Sequence, residues 1–347
     1  MGRLLRGTVM ALALAGFSLP VRAASTAEEP LGIGLEGLPY PYEVRYLSLA
    51  MSGEPVRMAY MDIPPGGDGN GRTAVLLHGR NFFGEYWKDT AAFLSAAGWR
   101  VLVPDQVGFG KSSKPDIALS FHALAQNTKA LLDNLGIARA DVIAHSMGCM
   151  LGVRFALMYP HATGSLVLEG PIGLEDYRLK VPYVSRERLI AQSRAQTREG
   201  IDRFFRGYFV KWQERFQLYP DVAWRWTLGP EAERLHRVAA STYAMAYEQP
   251  VVYELPRLAV PTLIVVGDKD RAAIGRNLVT PEVRETLGRL PELARQACST
   301  IENCTVVVLN DAGHVPHLEV AEQFHAVLFS FLALPRGGIL DSRADVE

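Results

Sequence analysis

Residues 140–149 read Ala-Asp-Val-Ile-Ala-His-Ser-Met-Gly-Cys. The run Ala140 to Ala144 is short and apolar, as a strand buried on both faces would be. It passes without a spacer into a helical start near Cys149. Ser146 falls on the junction. A tight strand-to-helix turn holds a serine hydroxyl clear of a sheet and within reach of a base. Small residues two before and two after the serine let strand and helix approach closely. Gly148 meets that need, and Ala144, also small, stands where glycine is usual. The helix that follows points its first amides at the site, which favours negative charge there.

Outward from this junction the same kind of run recurs. Thr73 to Leu77, Trp99 to Val103, Gly164 to Leu168, Pro261 to Val266 and Thr305 to Leu309 are all apolar and bounded by turn residues. Segments of helical spacing lie between them: Leu124, Leu131, Leu132 and Leu135 mark one, and Val320, Phe324, Val327, Leu328 and Phe331 another. Alternating strand and helix predicts an α/β protein with a mostly parallel, doubly wound sheet. Glu43 to Leu49 and Val56 to Asp62 read as an antiparallel hairpin at one edge, turning through Met51-Ser52-Gly53-Glu54. The pattern breaks from about residue 172 to 250, a stretch rich in aromatics, arginines and glutamates at helical spacing. It reads as a helical lid inserted into the sheet domain. Most of its aromatics, among them Tyr177, Phe205 and Trp224, would pack the lid down, and a few would face a pocket. The expected organisation is a core in two parts, 40–171 and 251–335, the lid at 172–250, and a polar tail at 336–347.

A serine nucleophile needs a base and an acid, and in open parallel sheets ligands bind outside the carboxyl ends of the strands. The strand Pro261 to Val266 runs into Gly267-Asp268-Lys269-Asp270, which offers two carboxylates. The strand Thr305 to Leu309 runs into Asn310-Asp311-Ala312-Gly313-His314. Ser146, these carboxylates and His314 therefore sit at one edge of the sheet.

Together these stretches resemble the α/β-hydrolases with a lid, a family that includes lipase-like esterases, epoxide hydrolases, haloalkane dehalogenases and carbon–carbon bond hydrolases. His78-Gly79 after a strand, Asp105-Gln106-Val107-Gly108-Phe109-Gly110-Lys111-Ser112-Ser113, Ala144-His145-Ser146-Met147-Gly148, Gly267-Asp268-Lys269-Asp270 and Gly313-His314 match in the family's order, from about Glu43 to Phe331. The resemblance implies the α/β-hydrolase fold, with Ser146 as nucleophile, His314 as base and Asp270 as acid. It also implies an oxyanion hole built from the backbone amides of Arg80 and Met147. Asp268 and Glu169 are the alternative acids. His317 lies past the family's position for the base. His145 reads as a structural residue of the elbow, and His78 as one that shapes the oxyanion loop.

In the members that open epoxides or remove halide, aspartate occupies the elbow. Serine here implies acyl chemistry through an ester intermediate. The expected activity is therefore hydrolysis of a small or medium, partly apolar carboxylic ester. A carbon–carbon bond hydrolase, a proline-releasing aminopeptidase and an amidase or lactonase would use the same triad. A binding protein that has kept the fold and lost turnover is the alternative of another class. Arg80 and Asn81 depart from the apolar residues more common after His-Gly. Arg80 is expected either to pair with a surface carboxylate or to favour a polar or anionic substrate group.

The chain has 347 residues, is 48% hydrophobic and 21% charged, and carries a net charge of −1. That suffices for one large core, and no basic field argues for nucleic acid. The remaining histidines show no paired ligand spacing, so neither a metal nor a cofactor is expected. Arg3 and Arg6, the apolar stretch Gly7 to Leu19 and Val21-Arg22-Ala23 read as a cleavable signal peptide over residues 1–23, which predicts a periplasmic or secreted protein without a membrane span thereafter. In an oxidising compartment Cys298 and Cys304 are expected to form a disulfide. Cys149 reads as buried core.

Overall fold

The computed structural model describes residues 29–334. The expected signal peptide at 1–23 and the polar tail at 336–347 lie outside the described residues.

Eight strands form one sheet: β1 (Val44–Met51), β2 (Glu54–Ile63), β3 (Thr73–Leu77), β4 (Arg100–Pro104), β5 (Ala140–His145), β6 (Thr163–Glu169), β7 (Thr262–Gly267) and β8 (Cys304–Leu309). Their order is β1-β2-β4-β3-β5-β6-β7-β8. The β1–β2 hairpin is antiparallel, as is β2 against β4, and every pairing from β4 to β8 is parallel. The apolar runs of the sequence match β3 to β8 to within a residue at each end. Extended strands send alternate side chains to opposite faces. Val75, Leu77, Val142 and Ala144 accordingly enter one apolar core, while Ala74, Leu76, Ile143 and Val167 enter another. Both faces are buried, which is why the strands read as continuous apolar runs.

Helices cover the two faces. α1 (Lys88–Ala96), α2 (Phe121–Asn134) and α3 (Met147–Met158) follow β3, β4 and β5. Between β6 and β7 lie α4 (Arg186–Arg194), α5 (Arg198–Arg206), α6 (Leu218–Thr227) and α7 (Ala232–Glu248), with no strand in this stretch. The C-terminal part adds α8 (Pro281–Glu285), α9 (Leu290–Cys298), α10 (Pro316–Glu319) and α11 (Ala321–Ala333). α2 and α3 bring Leu124, Leu131, Leu151 and Phe155 to one core, joined by Ala294 of α9. α1 and α11 bring Leu94, Phe324, Leu328 and Phe331 to the other. Cys298 at the end of α9 is disulfide-bonded to Cys304 at the start of β8, with their Cα atoms 5.3 Å apart. Among the described residues no helix is long and apolar enough to cross a membrane.

Candidate active site

Ser146 is the one residue between β5 and α3. Its φ of 57° and ψ of −119° are a conformation that side chains rarely adopt, held here by buried structure on both sides. The amide of Ser146 donates to the Glu169 carbonyl at 3.0 Å. A side chain at position 148 would run into the carbonyl oxygens of Leu77 and His78. Glycine there lets α3 lie against the end of β3. Ala144 is tolerated for a matching reason. Its Cβ faces Gly152 of α3, where an added methyl would stand 3.2 Å away. Strand and helix share one methyl at the crossing.

His314 lies in the loop after β8. Its Nε2 is 2.9 Å from Ser146 Oγ, and its Nδ1 is 2.9 Å from Asp270 Oδ2. With the Nδ1 proton directed at the carboxylate, Nε2 is left to accept from the serine hydroxyl. Asp270 Oδ1 accepts from the Ala272 amide at 2.9 Å, which fixes the carboxylate plane. All three side chains are buried. Asp268 is elsewhere: it accepts from the Ala312 amide at 3.2 Å and pairs with Lys269 at 2.6 Å. Glu169 pairs with His317, at 2.9 Å, rather than with His314. Burial pushes Glu169 up to about 7, against the smaller opposing pull of the nearby histidines and the His317 amide, and burial pulls His317 down to about 3.

The candidate oxyanion loop, His78 to Arg80, crosses directly over the elbow. A side chain at Gly79 would meet Ser146 Cβ at 3.1 Å and His145 Nδ1 at 2.9 Å. The Gln106 amide donates to His78 Nε2 at 3.0 Å, and His78 Nδ1 lies 2.9 Å from the Gly79 carbonyl. His78 thus pins the turn that carries Arg80. The amide of Arg80 has no acceptor among the described residues, and Met147 opens α3, where helix amides lack a carbonyl one turn back.

Three residues around the site, Tyr86, Gly170 and Glu319, carry no sequence signal. Tyr86 Oη accepts from the Gly79 amide at 2.9 Å and reaches His145 Nδ1 at 3.1 Å. Gly170, at φ 50°, ends β6 beneath the candidate triad, where a side chain would meet the His314 carbonyl at 2.7 Å. The His314 amide donates to the Tyr208 carbonyl at 2.7 Å, and Asn81 Nδ2 donates to Tyr208 Oη at 2.7 Å. Glu319 accepts from Gly313 at 2.8 Å and from Lys211 at 3.1 Å. The insertion between β6 and β7 is therefore tied to the His314 loop at two points. Cys149 is buried, and burial drives its thiol well above the ordinary range, which suits core packing rather than attack.

A cavity of about 610 Å³ opens onto Ser146 and His314. Phe204, Tyr208, Phe209 and Tyr243 of the insertion line it, as do Arg80 and Asn81. The expected partner of Arg80, a surface carboxylate, is not what the structure gives. Its Nε donates to Thr242 Oγ1 at 3.2 Å and its Nη2 to the Ala239 carbonyl at 3.1 Å. The side chain turns inward because α7 offers acceptors beside the cavity. Among the described residues no group of three or more metal-ligating side chains is assembled.

The family model described as "alpha/beta hydrolase family" matches residues 74–327. A probable hydrolytic enzyme from Pseudomonas aeruginosa PAO1 superposes with a TM-score of 0.87 at 41% identity, over 89% of this chain and 100% of that one. A 2-hydroxy-6-oxo-6-phenylhexa-2,4-dienoate hydrolase from Burkholderia cepacia is 36% identical over 111 residues, a match that spans 30% of this chain and only 38% of that protein. A 2-hydroxy-6-oxononadienedioate/2-hydroxy-6-oxononatrienedioate hydrolase from Burkholderia vietnamiensis is 27% identical over 298 residues, 83% of this chain and 95% of that protein.

Proposed function

The chain belongs to the alpha/beta hydrolase family, and from that membership we propose that it is a serine hydrolase of carboxylic esters. Ser146 attacks the ester carbonyl while His314 takes the hydroxyl proton. His314 returns the proton to the leaving alkoxide, and water then resolves the acyl-enzyme by the same route in reverse. Asp270 holds the imidazole in the needed tautomer and stabilises its cation. The amides of Arg80 and Met147 receive the negative oxygen of the tetrahedral intermediate. Residues 172–250 act as the lid over the acyl pocket, and the protein works in the periplasm or outside the cell. The observation that carries the reading is His314, placed 2.9 Å from both Ser146 Oγ and Asp270 Oδ2.

A fluorophosphonate probe and a series of para-nitrophenyl esters test it. The wild-type protein is expected to be labelled at Ser146 and to turn over the esters. Ser146→Ala should lose labelling and at least about a thousandfold in kcat. An unlabelled Ser146 in folded wild-type protein would instead favour a binding protein that has kept the fold.

Carbon–carbon bond hydrolysis is the second reading, favoured by the names of the two Burkholderia relatives. The same nucleophile and base would serve it. Turnover of a 2-hydroxy-6-oxo-dienoate with little or no turnover of any ester would move the assignment there.

A further inference from the structure

Four cationic side chains line the cavity: Arg80, Lys269, Arg271 and Arg276. Lys269 is paired with Asp268, and Arg271 lies 3.5 Å from Glu285. Arg80 and Arg276 have no carboxylate within ion-pair distance among the described residues. Among the described residues the one carboxylate lining the cavity, Asp270, is taken by His314 Nδ1 and the Ala272 amide. The cavity lining thus carries positive charge, on Arg80 and Arg276, that no carboxylate among the described residues compensates.

Arg80 is the better placed of the two. It follows Gly79, whose backbone lies against Ser146, so its guanidinium is carried on the loop that crosses the elbow. Thr242 and Ala239 of α7 fix two of its nitrogens, and the guanidinium carbon stands 5.7 Å from the centroid of the Tyr243 ring. Nη1 has no hydrogen-bond partner among the described residues. Across Tyr243 lies Gly275, where an added side chain would meet the Tyr243 hydroxyl at 3.1 Å, and Arg276 follows it. The Tyr243 hydroxyl and Arg276 Nε are both buried and without a partner among the described residues. The Arg80 guanidinium is hydrogen-bonded to neutral groups, lies beside the Tyr243 ring and has no carboxylate to balance its charge, and burial lowers its pKa. An anion balances that charge, and a planar guanidinium binds carboxylate particularly well.

We propose that Arg80 is an anion-binding residue of this cavity, and that the acyl compound hydrolysed at Ser146 carries a carboxylate close to its scissile carbonyl. The assignment of the substrate class rests on the ester-hydrolase reading above; the binding of the anion does not. Tyr243 stands beside Arg80 in this subsite, and Arg276 lines the same cavity with its Nη1 donating to the Arg271 carbonyl at 2.8 Å.

Mono-para-nitrophenyl glutarate and para-nitrophenyl valerate share a leaving group and acyl-chain length and differ in the terminal carboxylate. Wild-type kcat/KM is expected to favour the glutarate by about tenfold or more at low salt, and added salt should reduce the preference. Arg80→Gln should bring the ratio of the two esters close to one, with the change carried by KM, and Arg80→Lys should keep part of it. A wild-type ratio at or below one, or a ratio that Arg80→Gln leaves unchanged, overturns the proposal. If the glutamine variant does not fold, the lysine variant and the salt dependence of the wild-type ratio decide, and a salt-independent ratio overturns it.

Calorimetry on Ser146→Ala separates this from the reaction itself. Monomethyl glutarate is expected to bind about tenfold or more tightly than methyl valerate. That preference in a protein whose wild type cleaves neither ester would remove the ester-hydrolase reading and keep Arg80. Equal affinities would remove Arg80 as an anion site whatever the wild type cleaves.

Discussion

His145 Nε2 donates to the carbonyl oxygen of His314 at 2.8 Å, so the residue before the candidate nucleophile grips the backbone of the candidate base. Its other nitrogen faces Tyr86 Oη, which in turn takes the Gly79 amide. Burial lowers the His145 pKa well below the usual histidine range, so the ring stays neutral with one donor and one acceptor. One buried chain of hydrogen bonds therefore joins the candidate oxyanion loop, the elbow and the candidate base.

His145→Ala is expected to lower kcat about tenfold or more with a smaller change in KM, because the candidate base and the candidate oxyanion loop lose their common anchor. Each buried group left unpaired should also cost about 1–3 kcal/mol of stability. His145→Gln, which can still donate to the His314 carbonyl, should recover part of both. Steady-state kinetics and thermal melts check this. An alanine variant with wild-type kcat would show that the chain only fills space.

The elbow gives an opposed pair. Gly148→Ala places a methyl on the backbone oxygens of Leu77 and His78, which cannot withdraw without shifting β3. It should destabilise by about 2 kcal/mol or more and remove activity. Ala144→Gly, which restores the commoner residue, loses one buried methyl and gains chain entropy in the unfolded state. It should cost about 1 kcal/mol and leave kcat nearly unchanged. Denaturant melts and one ester assay suffice, and a large loss of kcat in Ala144→Gly would mean that the methyl sets the angle of the serine.

Much of this site was legible because strands buried on both faces announce themselves. Ala140 to Ala144, Pro261 to Val266 and Thr305 to Leu309 read as strands because no polar residue interrupts them for long, and their ends put Ser146, Asp270 and His314 on one edge of the sheet. The environment of Arg80 was not legible. Its acceptors lie on Thr242 and Ala239, about 160 positions away on a helix whose docking no local pattern specifies. Glu169 and His317 were visible singly, as a spare acid and a spare base. Their pairing depends on how β6 and α10 meet beneath the site. Tyr86, Gly170 and Glu319 act through single hydrogen bonds or close backbone approaches, which leave no periodicity to find.

Lys114 supplies a pH test away from the candidate triad. It is buried, with Nζ donating to the Ser112 carbonyl at 2.8 Å and to the Gly110 carbonyl. Burial lowers its pKa from 10.5 to about 7. Between those values the unfolded chain holds a proton that the folded chain releases, so stability rises with pH across that window and falls as pH drops towards 7. Lys114→Met lacks this slope. The wild type should gain on the variant by roughly 2 kcal/mol between about pH 7 and about pH 9 in urea melts. A difference that stays flat would show that Lys114 remains charged in the fold.

The Glu169–His317 pair makes the sharpest claim about a buried charge. Glu169 accepts from the His317 amide at 2.7 Å and from its ring at 2.9 Å, with both side chains shut from solvent. Burial raises Glu169 from 4.5 to about 7 and lowers His317 from 6.5 to about 3. The folded chain then holds an extra proton on Glu169 between about pH 4.5 and 7, so that group's contribution falls as pH rises through the window. His317 acts in the opposite sense between about pH 3 and 6.5, because there the unfolded chain holds the extra proton. Where the windows overlap the two slopes offset each other, and the wild type shows little net dependence from this pair. Glu169→Gln keeps an acceptor for the His317 amide but removes the carboxyl titration. The wild type should therefore lose ground to Glu169→Gln as pH rises from about 4.5 to about 7, by on the order of 1–3 kcal/mol. Glu169→Ala, which leaves the His317 amide and ring unpaired, should be less stable than Glu169→Gln by about 2 kcal/mol or more throughout. A wild type that gains on Glu169→Gln with rising pH would mean that Glu169 is an ionised carboxylate paired with an imidazolium, and that the charge is held beneath the elbow rather than excluded from it.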